Sequence, residues 1–214
     1  MSQDTKAALI RAAERLFAEK GLGGVSVKEI TRAAGARNES ALHYHFGGVD
    51  GLIRQVFANR YREIETARTA LLAGLRLDKA SDEVEAVLEA ALAPFLAACL
   101  NEDGRLYARF CAQIATDPRF DIGDLIREIG MPSLETMSGL LVSRLRHIPN
   151  DILATRLRRV FIMSLVQAAD YARQIELGAA PPIEEATREA AATLTGFLRA
   201  PSPRAEAQPP KKKS

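Results

Sequence analysis

Apolar residues recur at helical spacing along nearly the whole chain. Between Thr5 and Lys20, Leu9, Ala13, Leu16 and Phe17 share one helix face. Gly21, Gly23 and Gly24 then stop the helix, since glycine accepts the positive φ of a helix C-terminus. Ser26 followed by Glu29 has the spacing of a capping box, in which each side chain satisfies the other residue's free amide. It predicts a short helix with Val27, Ile30 and Ala34 inward, ended by Gly35. Asn38 is a favourable N-cap for a further helix of about two turns reaching Phe46. In that helix Leu42 and Phe46 point inward, while Glu39, Ser40 and His43 share the opposite face. Gly47 and Gly48 break the chain before a long helix from Val49 to about Leu75, with Leu52, Val56, Ile64 and Leu71 inward. Further helical patterns cover 82–100, 105–116, 125–129, 132–147, 151–177 and 183–198. Pro132 and Pro182 fall near helix starts, where a missing amide costs nothing. Pro94 falls inside a pattern and is expected to kink or divide it.

Composition agrees with an all-α chain. Aromatic residues make up only 6% of 214 residues, Trp is absent, and Ala and Leu dominate, whereas strands favour β-branched and aromatic side chains. The longest apolar run, Ala90 to Leu100, is eleven residues, too short for the 18–20 or so that a bilayer requires. Charged residues crowd the first fifteen positions, which excludes a signal core there and points to a cytoplasmic protein. Cys99 and Cys111 are expected as buried thiols.

Net charge is only +2, but it is unevenly spread. Residues 1–62 hold ten basic and six acidic side chains, and residues 199–214 hold five and one, so the interval between them is acidic. A basic head on an acidic body suits a polyanion at the head. The head's order of elements is that of a helix-turn-helix, and its second short helix exposes hydrogen-bonding groups ending in Tyr44 and His45. Contact with DNA is therefore expected.

The stretch RAAERLFAEKGLGGVSVKEITRAAGARNESALHYHFGGVDGL resembles the TetR family of bacterial transcriptional repressors. Leu16-Phe17, the Gly21 stop, Ile30, Ala33-Ala34-Gly35 and Tyr44-His45-Phe46-Gly47 carry the likeness, which spans about the first 55 residues. It implies a homodimer of all-helical protomers, each with a DNA-binding domain at 1–48 and an effector-binding and dimerisation domain at 49–200. Residues 201–214, with their prolines and Lys211–Lys213, are expected to be a disordered basic tail. The resemblance further implies base reading by Asn38, Glu39, Ser40, Ala41 and His43, and phosphate contact by Ser26, Val27, Lys28, Tyr44 and His45, joined by Thr5 or Lys6. The turn at Gly35–Asn38 is one residue longer than the family pattern. Val49-Asp50 stand where the family has a lysine, a contact that Arg37 would replace.

Other chemistry finds little support. His43 and His45 lie about 200° apart on a helix and cannot chelate one metal, and no nucleophile or phosphate-loop motif is present. Neither cofactor nor catalytic residue is expected. An effector cavity near Tyr107, Phe110, Met137 and Met163 is expected for a small, mostly apolar ligand, with Arg105 or Arg109 meeting an anionic group. The competing function is a helical small-molecule enzyme or carrier that retained the head.

Overall fold

The computed structural model describes residues 3–36, 38–75 and 83–201. Ten helices and no strand occur among them. The head comprises α1 (Gln3–Lys20), α2 (Val27–Ala33) and α3 (Ser40–Phe46). The body comprises α4 (Val49–Ala73), α5 (Glu83–Ala98), α6 (Glu102–Ile114), α7 (Ile122–Ile129), α8 (Pro132–Arg144), α9 (Asn150–Glu176) and α10 (Ile183–Arg199). Arg37 and the tail beyond Pro201 lie outside the described residues, and with them the expectations for Arg37 and for Lys211–Lys213. No described helix is long and apolar enough to cross a membrane.

Local signals set the head. Ser26 Oγ accepts from the Glu29 amide at 3.2 Å and Glu29 Oε2 accepts from the Ser26 amide at 3.0 Å, the reciprocal bonds of a capping box. Gly47 closes α3 at φ +70°, a left-handed conformation that glycine adopts without strain. The helix α3 begins one residue later than the Asn38 cap suggested. Glu39 occupies the cap position, and Asn38 Oδ1 accepts from the Ser40 amide at 3.0 Å, as in an Asx turn.

Tertiary packing sets the body. The helix α5 packs against α4, α8 and α10, while α6 lies between α1 and α9. The helix α5 runs unbroken through Pro94, so the expected division does not occur. Close contact between α5 and α6 depends on Gly104, where a Cβ would meet the Ala98 carbonyl at 1.8 Å. Leu71, expected inward, is 45% exposed, and Leu72 takes the buried place in α4.

Candidate nucleic-acid interface and its links to the body

Leu42 is fully buried and Phe46 packs on the core, which fixes the face that α3 turns outward. Ser40 and His43 are exposed on that face, Tyr44 is 77% exposed, and Asn38 and Glu39 precede them on the surface. Ala41 does not join them. It lies one step, about 100°, from Leu42, and with α2 and α4 packed on α3 it is buried. His45 is half-buried against Tyr44 and Phe46, its Nε2 enclosed without a hydrogen-bond partner among the described residues. In the preceding helix Ser26 and Lys28 are exposed, whereas Val27 packs partly on the core. Lys6 at the start of α1 sits 5.9 Å from the Phe46 ring, so the first turn of α1 and the end of α3 are neighbours.

Glu29 belongs to the scaffold of this surface. The Ser26 amide, with Lys20 Nζ at 3.0 Å, holds its carboxyl down at about 2. The carboxylate therefore stays ionised and pairs with Lys20 of α1, while Lys28 and Arg32 of α2 are exposed cations.

Four contacts tie this head to the body. Phe17 of α1 stacks on Phe110 of α6 with ring centroids 6.0 Å apart. Gln113 of α6 accepts from the Leu22 amide and donates to the Phe17 carbonyl, both at 3.0 Å, so one side chain grips the end of α1. Buried Glu14 meets Arg60 of α4 at 2.7 Å, and Arg60 also pairs with Asp103 of α6 at 2.9 Å. Burial raises the Glu14 carboxyl above its usual range despite the attraction of Arg60. Arg15 of α1 pairs with Glu102 at the start of α6 at 3.3 Å. Sequence reasoning missed Glu14, Arg60 and Gln113. The available signal was a polar side chain within an apolar stripe, as where Glu14 falls beside Ala13 and Phe17.

The expected effector residues do not gather around one cavity. Tyr107 and Phe110 are wholly buried in the core, and the Tyr107 hydroxyl donates to the Phe57 carbonyl at 2.7 Å. Arg109 is held by Glu176 at 2.7 Å, and Arg105 donates to the Cys99 carbonyl at 3.2 Å, closing the end of α5. Neither turns into an apolar space. Met163 is half-buried elsewhere on α9. Only Met137 of that set lines the small cavity between α4, α5, α8 and α9, with Leu88, Phe95, Leu134, Val160 and Phe161. The cation on its wall is Arg68, which sequence reasoning passed over although it falls on the buried stripe Tyr61, Ile64, Arg68, Leu72.

Residues 9–56 match the family described as bacterial regulatory proteins, tetR family. The N-terminal residues are thus similar to that family's DNA-binding domain, and the chain as a whole shares the fold of solved tetR-family regulators. A protein of Shewanella sp. PV-4, described as a tetR family transcription regulator, is 18% identical with a TM-score of 0.63, covering 91% of this chain and 96% of its own. The fatty acid degradation regulator FadR of Bacillus halodurans is 13% identical with a TM-score of 0.59, covering 92% and 99%. NalD of Pseudomonas aeruginosa, the secondary repressor of the MexAB-OprM multidrug efflux pump, is 22% identical with a TM-score of 0.54, covering 92% and 98%. No curated protein matches the chain.

Proposed function

We propose that the chain is a ligand-responsive transcriptional repressor that binds a palindromic operator as a homodimer. In this reading residues 1–48 are the DNA-binding head and 49–200 the effector-binding and dimerisation body. The carrying observation is the outward face of α3, where Ser40, His43 and Tyr44 stand exposed on a helix anchored by buried Leu42. Such a face suits base edges in the major groove, while Lys28, Tyr44 and Lys6 suit phosphates. Repression draws support from NalD, which is a repressor.

An open groove of about 800 Å³ beside α9 and α10 supports pairing of two copies. It exposes Val166 (46%) and contains Gln167, whose buried Oε1 has no partner among the described residues. Val160, Leu165, Ala168 and Leu194 of the same helices are internal core, so the interface would use the opposite faces. An effector in the body would release DNA by favouring an arrangement in which the heads no longer fit grooves about 34–36 Å apart.

Selection of binding sites from random duplex DNA tests the reading. A palindrome with half-sites one helical turn apart, or a multiple of it, is expected. Equal affinity for all duplexes would overturn it.

A further inference from the structure

Arg68 is a cation buried to 4% exposure in the middle of α4. Its Nε donates to the Ala91 carbonyl of α5 at 2.7 Å, and its Nη1 donates to the Tyr61 hydroxyl. Neither partner brings charge, since burial pushes the Tyr61 phenol up to about 12 and keeps it neutral. Among the described residues the only carboxylate within 4 Å is Glu65, at 3.9 Å, beyond hydrogen-bond length. Glu65 is already occupied, because its two oxygens accept from the Ser133 amide at 2.7 Å and the Ser133 hydroxyl at 2.5 Å at the start of α8. The Tyr61 ring, 5.2 Å from the guanidinium, adds a further neutral contact. With no hydrogen-bonded anion among the described residues, the buried guanidinium carries a desolvation cost that a well-placed anion would offset.

Arg68 also lines the cavity formed by Leu88, Phe95, Met137, Val160 and Phe161. We propose that Arg68 is the anchor of the effector, and that the effector is a compact, mainly apolar molecule bearing one carboxylate. The proposal rests on the reading of the body as an effector domain and supplies the chemical class. A carboxylate would form a charge-assisted, bidentate pair with the guanidinium, and the apolar walls would take the remainder. The cavity measures about 20 Å³, near the space of one water. The ligand therefore enters by moving side chains, first Met137, whose unbranched thioether repacks readily. It also takes Arg68 from the Ala91 carbonyl, loosening α5 from the helix that begins at the head. Binding thus favours an arrangement other than the closed one, which a ligand must do to shift an equilibrium.

The test is calorimetry on the full chain with benzoate, cyclohexanecarboxylate, octanoate and decanoate, each beside its neutral amide. At least one acid should bind roughly tenfold or more tightly than its amide, the scale of a charge-assisted pair. Arg68→Met should erase that preference while circular dichroism reports an unchanged helical content. Should Arg68→Met fail to fold, Glu65→Gln decides, because removing the competing carboxylate should tighten the bound acid several-fold. No acid binding better than its amide overturns the anchor, as does a preference that survives Arg68→Met or an affinity that Glu65→Gln leaves unchanged or weaker. Operator affinity is followed separately by fluorescence anisotropy. An acid held through Arg68 that leaves operator binding unaltered sinks the regulatory reading and spares the anchor.

Discussion

The head and the body dispose their polar side chains in opposite ways. On α3 the hydrogen-bonding groups of Ser40, His43 and Tyr44 face solvent. In the body Arg68, Glu65 and Gln113 reach inward or between helices, and each is engaged by another part of the fold. The difference teaches where each region's chemistry resides. The head presents its polar groups to solvent, whereas the body's polar groups hold helices in one relative position. In the proposed reading, a ligand would act on the body by competing for those bonds.

The strongest way to break this contrast is to sever the junction between the two regions. Phe110 is fully buried and supplies the body's half of the stack on Phe17. Phe110→Ala is expected to cost about 3–5 kcal/mol of stability, measured by urea unfolding. If the head is a surface held by the body, α1 should lose hydrogen-exchange protection before α9 does. Equal loss in both helices would show one undivided cooperative unit.

A smaller effect sharpens the role of the outward face. His43→Ala should change preference at one or two operator positions by about 1–3 kcal/mol, read by repeating the site selection with the variant. Identical selected sites would remove His43 from base reading.

The scaffold under that face gives an effect of about 1 kcal/mol. Ser26→Ala removes the cap of α2 and should destabilise the head by that amount. The partner carboxylate supplies a pH signature. Its folded value, about 2, lies below the ordinary carboxylate value of 4.5, so its contribution is present above pH 4.5 and disappears as pH falls through about 2. Burial gives Glu14 the opposite sign: stability falls as pH rises from 4.5 through its raised value. Carboxyl-detected NMR titration should show the two midpoints on opposite sides of the ordinary one, and coincident midpoints would contradict both environments.

The smallest effect belongs to Lys28. Lys28→Ala should weaken every duplex alike and reduce the log–log salt slope by about 0.9, one phosphate's worth. A changed sequence preference at constant slope would move Lys28 from positioning to reading.

Local rules determined the elements of the head, because a capping box, an Asx turn and a glycine stop each act within a few residues. The Ser26–Glu29 box formed where the spacing indicated it, and Gly47 closed α3 in the left-handed conformation. Periodicity likewise indicated all seven body helices, since an apolar stripe reports on one helix at a time. It could not report which stripes meet. Arg105 and Arg109 were placed at a cavity because they flank an apolar stripe, yet Glu176, 67 residues beyond Arg109, holds both at the surface. Arg68, on the buried stripe of α4, instead faces the cavity, across from residues of α5, α8 and α9. Ala41 was lost from the outer face because α2 and α4 pack on α3, and no residue adjacent in sequence announces that. Sequence alone thus fixed which helices form and where the head's surface chemistry lies, as those depend on interactions of short range. The partners of buried charges, and with them the lining of the body's cavity, depend on contacts between helices far apart in the chain, and only the tertiary structure decided them.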